Sequence, residues 1–390
     1  MFARPSAEAK KHCARGLASL FVLPMLALGC SEFEPPLTIK DAGHVPQPVV
    51  DTGVVAPHDA GHDADIDAAQ TRPFDAASHD ADVDAQIAPA DAALADSGAA
   101  DASPADAAVV MIPKRPTLPK CGFKAPVSTG MIMEEGLNEI SGIAVSRKNA
   151  RVIWVVEDSG NGGQVHAVND AGKLLATYSI GGAAIDMEDL SVGPGPGGAQ
   201  YLYIADIGDN TGSRPSVAIY RAPEPDVTFD QAAISAPLPM LEPLPFKYPD
   251  GSYNAEALIV DPETQDLYII TKDGFAKPNT IYRMTAPHQP ATLRTVEPLG
   301  ATYGGPGTDL AVSAADISAD GKHIMVRSLR SATHYTRVAG VSIADTILKG
   351  TACDAELAVE DKGESISFSL TGYYSLSEGT KVPLHFVSFQ

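Results

Sequence analysis

Basic charge is scarce in this chain: 28 Lys and Arg stand against 49 Asp and Glu in 390 residues, a net charge of −21. Such a balance leaves no basic face to follow a phosphate backbone, which excludes nucleic acid as a partner, and it does not favour an anionic lipid surface. Long apolar runs are missing too. The run Leu17 to Leu28 is 12 residues long and broken by Pro24, short of the roughly 20 that a membrane-spanning helix requires. No Gly-Lys-Ser/Thr follows the glycine-rich stretch Gly193 to Gly198, so that stretch reads as a hairpin loop rather than a phosphate loop. No Gly-x-Ser-x-Gly elbow accompanies His166, His288, His323, His334 or His385, which argues against a serine hydrolase. Helical periodicity is sustained nowhere, so a helical core is not expected.

What is present begins at the N-terminus. Basic residues up to Arg15 precede the short apolar run, which has the length of a signal-peptide core and ends in Leu26-Ala-Leu-Gly-Cys30. These last residues resemble the bacterial lipoprotein cleavage box. That resemblance implies a signal peptide over 1–29, with Cys30 lipidated as the first mature residue and anchored stably by its acyl chains. Ser31, a residue other than Asp, implies sorting to the outer membrane, on its periplasmic or surface side. Residues 30–112 then form an Asp/Ala/Pro linker with 16 acids against Lys40 and Arg72. It holds too little apolar surface to offset its ordering entropy and is expected to be disordered, a tether reaching about 50 Å. Asp63, Asp65 and Asp67 alternate like the opening of an EF-hand loop, but Ala68 and Phe74 stand where Gly and Glu are required.

Residues 113–390 carry a net charge of only −10 and repeat one pattern five times. An acid opens a short apolar strand at Glu139, Glu188, Glu256, Asp316 and Glu364. A second apolar strand follows each and ends in a charged residue: Asp158, Asp206, Lys272, Arg327 and Glu378. Starts lie about 50 to 70 residues apart, the period of a four-stranded repeat. The expected fold is all-β: a propeller of five four-stranded blades, with the 188–256 and 256–316 intervals long enough to admit a sixth. In a propeller the first strand commonly completes the last blade, which would bring Cys121 near Cys353 in an oxidising compartment and predicts a disulfide between them.

Blade geometry turns the repeat into a site. The innermost strand starts at the channel mouth and the second strand returns there, so the opening acids should form an inner ring with the closing charges around it. Ser141 and Asp186 should face the same way as Glu139 and Glu188, because side chains alternate along a strand. Carboxylates about 6 Å apart repel by roughly 3 kcal/mol at an effective dielectric near 20, so the ring requires protons, cations or a metal. Lys272 and Arg327 can neutralise part of it. Glu188, Asp206 and Asp209 suit a hard cation such as Ca²⁺, which takes six to eight oxygens. The competing expectation is structural, each acid accepting backbone N–H groups of the next blade.

Several segments also resemble a family of secreted bacterial β-propeller proteins, loosely similar to the phytase-like and SdiA-regulated propellers. They are Asn138-Glu-Ile-Ser-Gly142, Asp186-Met-Glu-Asp189, Tyr201-Leu-Tyr-Ile-Ala-Asp-Ile-Gly-Asp-Asn210, Asn254-Ala-Glu-Ala-Leu258 and Gly363-Glu-Ser-Ile366. Glu157, where the family usually has Asn, and Met187, where it has an aromatic, depart from the pattern. Two function classes follow. One is a tethered propeller binding a small ligand, glycan or protein at the mouth through Glu139, Asp158, Glu256, Asp316, Glu364 and Glu378, with or without Ca²⁺. The other, which the phytase-like resemblance implies, is a Ca²⁺-dependent hydrolase of a phosphate or other anionic ester, with Lys272 and Arg327 holding the anion and Glu188 or Asp206 as base.

Overall fold

The computed structural model describes residues 117–390 except 159, 161, 183, 273–277 and 303–310. The expected signal peptide, the Cys30 anchor and the 30–112 linker lie outside the described residues.

Five antiparallel blades form a closed β-propeller. Their innermost strands are Ile140–Val145, Met187–Pro194, Ala255–Val260, Val312–Ile317 and Gly363–Phe368, and each lies against the innermost strands of the blades before and after it. These strands are buried almost throughout; Ala255–Val260 reads as an apolar run, whereas Met187–Pro194 and Gly363–Phe368 bury Ser191, Ser365 and Ser367 among their apolar residues. Apolar packing is divided among the seams. Trp154, Leu190 and Ile204 join blades 1 and 2, and equivalent clusters fill the other four seams. Trp154 is fully buried and donates its indole N–H to Glu224 at 2.8 Å, which satisfies the one polar atom that burial would otherwise strand.

The two long intervals do not hold a sixth blade. They hold staples. In blade 2 the connection from third to fourth strand sends Ile234–Pro237 back to pair, in parallel, with the outer strand Leu174–Ser179 of blade 1. In blade 3 the same connection lays Arg294–Thr295 on the outer strand Glu242–Lys247 of blade 2. Blade 4 places a helix there, Ile343–Lys349, capped by Ser342 and buried through Ile343, Ala344 and Ile347 in the seam with blade 3.

Blade 5 closes the ring with the chain's first strand. Val127–Met131 pairs with Pro383–Ser388 as the outer strand, and the segment before it repeats the staple: Lys120 bridges Asp354 in parallel on blade 4. The expected disulfide is present at this point, joining Cys121 to Cys353 of blade 4's outer strand, Ala352–Ala355. The chain's first strand completes blade 5 through hydrogen bonds alone, and the disulfide ties the segment that leads into it covalently to blade 4.

Candidate functional site: an acidic channel mouth

All five blades carry a bulge at one matching position, where the innermost strand meets the second. The register shifts between Ile140 and Gly142, Met187 and Asp189, Ala255 and Ala257, Val312 and Ala314, and Gly363 and Ser365. The extra residue is Ser141, Glu188, Glu256, Ser313 or Glu364. A bulge re-aims a side chain at the end of a strand pair, and here the five bulges form the ring that the repeats foretold. Its composition is three glutamates and two serines.

A cavity of about 160 Å³ opens on this ring, lined by Glu139, Ile140, Ser141, Asp158, Glu188, Asn210, Glu256, Lys272, Glu364 and Glu378. Seven of the ring residues expected from the repeats therefore meet: Glu139, Asp158, Glu188, Glu256, Lys272, Glu364 and Glu378. Six are acids, against one lysine.

Three expected members lie elsewhere. Asp316 is three residues past Ser313, the true ring position, and so sits near the far end of its strand. There it accepts from Ser367 Oγ and the Phe368 N–H at 2.8 and 2.7 Å and faces Arg147. Arg327 falls two positions short of Leu329, its blade's counterpart of Lys272. Its side chain is buried against Glu360 and donates to the carbonyls of Gly363 and Ser365 at 3.0 and 2.9 Å. Asp206 is one residue short, and a shift of one turns a strand side chain to the opposite face. Its carboxylate is held by Arg214 at 2.9 Å and by the Asp186 N–H. Asp209 turns into its own loop and accepts from the N–H groups of Ser213 and Arg214. Of the metal set expected from sequence, only Glu188 reaches the cavity.

The acids at the mouth are poorly neutralised. Glu256 has the fullest partnership, with Lys272 Nζ at 3.1 Å and Asn254 Nδ2 at 3.1 Å. Glu188 accepts from Ser141 Oγ at 3.2 Å. One oxygen of Glu364, Oε2, is buried without a hydrogen-bond partner, as is Oδ1 of Asp186. Burial, opposed by Lys272 and reinforced by Glu256 and Glu378, pushes the Glu364 carboxyl up to about 7. Burial and then the neighbouring Asp158 push Asp186 up to about 7. Glu188 is driven well above the carboxylate range by burial and by Glu256, Asp158 and Asp186. Burial disfavours charge on Lys272, yet the carboxylates of Glu256, Glu364 and Glu188 hold it above its ordinary value.

The structural alternative holds for different residues. Asp189, whose carboxylate accepts the Leu258 N–H of blade 3 at 2.8 Å, and Asp316, which accepts the Phe368 N–H of blade 5, are acids that staple neighbouring blades through the backbone. The described partners of Glu188, Glu256 and Glu364 are side chains. Asp186, expected from the Asp-x-Glu spacing to face the same way as Glu188, lies beside it and Asp158. Gly208 gave no signal at all. A Cβ there would fall within van der Waals contact of Glu188 Oε1 and Asp186 Oδ2, so only glycine lets this loop lie across both carboxylates.

The sequence matches no protein-family model and no curated protein.

Proposed function

We propose that this propeller is a binding module whose mouth captures a small ligand carrying positive charge, displayed from the outer membrane by the lipidated Cys30 and the acidic linker. One observation carries the reading: three bulge-positioned, buried glutamates converge with Glu139, Asp158 and Glu378 on a cavity whose lining, among the described residues, holds one lysine, itself engaged by Glu256. A site with that surplus of carboxylate gains from a cation, which supplies the compensation that burial denies. The cavity's size suits a metal ion or a short amine.

Thermal unfolding with putrescine, spermidine and arginine amide tests this, with inorganic phosphate and glucose as anionic and neutral comparisons. A ligand with a dissociation constant of 0.1 mM, present at 1 mM, should add about 1.4 kcal/mol, roughly 3 °C in midpoint. That gain should fall in Glu364→Gln. Stabilisation by phosphate alone, or by none of these, would refute the cationic reading. The anchor is tested separately: Cys30→Ser should move the protein from the membrane to the soluble fraction, and an unchanged membrane fraction would refute it.

The hydrolase reading has one observation in its favour, the presence of Lys272 facing Glu364, whose carboxyl burial pushes up to about 7. Against it, the second cation expected to hold an anion, Arg327, is committed to Glu360, and the expected base Asp206 to Arg214. Among the described residues, a phosphate placed at the mouth would meet one engaged lysine and six acids.

A further inference from the structure

We infer that Asp158, Asp186 and Glu188 form a site for one hard divalent cation of the size of Ca²⁺, on the blade 1 and blade 2 side of the mouth. The inference rests on the reading of the mouth as a cation site and names the ion class and its ligands. One carboxylate oxygen from each of the three residues lies within 4.8 Å of the other two. Oxygens bound to one Ca²⁺ at 2.3–2.6 Å are separated by no more than about twice that distance, so the trio meets the limit without rearrangement of the chain.

A second observation points to a ligand independently of this clustering. Asp186 is 8% exposed, and its Oδ1 is buried with no hydrogen-bond partner. A buried carboxylate oxygen left bare is costly, and its neighbours in the same loop are not left so. Asp206 takes the N–H groups of Ile185 and Asp186 and the Arg214 guanidinium, and Asp209 takes two N–H groups of its own loop. Backbone and cationic donors are thus spent on the two aspartates that flank the cluster.

The cations facing the trio are also committed. Arg214 donates to Asp206 and, at 2.6 Å, to the carbonyl of Gly208, while Lys272 is bound to Glu256. The absent side chain at Gly208 completes the cradle: the loop lies directly over Glu188 Oε1 and Asp186 Oδ2, while Asp158 and Glu188 line the cavity. Three protein carboxylates leave coordination positions for water or for an oxygen of the ligand at the mouth.

The test is calorimetric titration of CaCl₂ into the EDTA-treated full chain. The expected result is one Ca²⁺ per chain with a dissociation constant below 1 mM, weakened at least tenfold in Asp186→Asn and in Glu188→Gln. It should change less than twofold in Asp345→Asn, an exposed helix acid far from the mouth in the sequence. Two isosteric variants are used so that poor folding of either one leaves the other to decide, and each is compared with wild type by its unfolding midpoint in EDTA. No calcium binding by wild type, or binding unaltered in both mouth variants, would overturn the inference. If amines still stabilise the chain when calcium does not bind, the metal site fails and the cationic mouth stands. Silence to both refutes the two together.

Discussion

Arg327→Met is expected to lower the stability of the propeller by about 3–5 kcal/mol, on the order of 10 °C in unfolding midpoint. The side chain of Arg327 is fully buried and that of its partner Glu360 nearly so. Its guanidinium fastens the second strand of blade 4 to the innermost strand of blade 5 through the carbonyls of Gly363 and Ser365. Gly363 permits this, because a Cβ there would collide with the guanidinium. Removing the arginine leaves the Glu360 carboxylate with Ser375 Oγ as its remaining described hydrogen-bond donor, and an unpaired buried charge is what makes a broken pair expensive. Replacing both residues, as Arg327→Met with Glu360→Gln, should therefore recover more than half of the loss. Urea unfolding of wild type, single and double variants measures this. A single variant of wild-type stability that loses amine binding would instead return Arg327 to the mouth.

The second large effect concerns pH. Glu364→Gln should match wild type in stability near pH 4.5 and exceed it by about 3 kcal/mol above pH 7. The sign follows from the raised carboxyl. In the unfolded chain Glu364 ionises at its ordinary value of 4.5, while in the folded chain it keeps its proton up to about 7. Unfolding thus releases a proton in that window, and the folded state loses ground as pH rises through it. Glutamine is neutral at every pH and escapes the loss. The difference between the two chains matters because the buried histidines act oppositely: burial lowers His166 and His334 to about 4, so they cost stability as pH falls below 6.5. Those terms are common to both chains and cancel. The groups facing Glu364 are Lys272, Glu256, Glu378 and Arg327. A stability difference that stays flat from pH 4.5 to 8 would show that Glu364 is not held protonated.

Much of the fold was legible because each blade repeats an acid-led innermost strand and a buried returning strand, and returning strands such as Val152–Glu157 and Leu267–Thr271 are apolar runs that can be counted. The disulfide was legible for a topological reason, since ring closure brings the two ends of the domain together. The staples were not. Ile234–Pro237 and Arg294–Thr295 are short, exposed in part, and paired in parallel with a strand of the preceding blade, a long-range contact that local pattern does not encode.

The site was legible to within a residue or two, and that margin decided several assignments. Reading each repeat from its first acid placed Asp316 on the ring, whereas aligning Val312-Ser-Ala-Ala with Ile140-Ser-Gly-Ile would have placed Ser313 there. Asp206 and Arg327 were displaced because their strands were ended at the last charged residue, whereas the mouth positions of those blades fall on Ile207 and Leu329. Acidity was a sound guide to the mouth as a whole and a poor one to each member, since Asp189 and Asp316 use the same carboxylate chemistry to hold blades together.

The central claim is that the mouth glutamates serve a ligand at the expense of the scaffold, a trade in which relieving the strained charge stabilises the chain and weakens binding. The most direct measurement is the unfolding midpoint of wild type and Glu364→Gln at pH 8, each with and without 1 mM spermidine. The account predicts a higher midpoint for the variant alone and a smaller gain when the amine is added. A variant that unfolds below wild type without ligand would make Glu364 part of the scaffold and contradict the account.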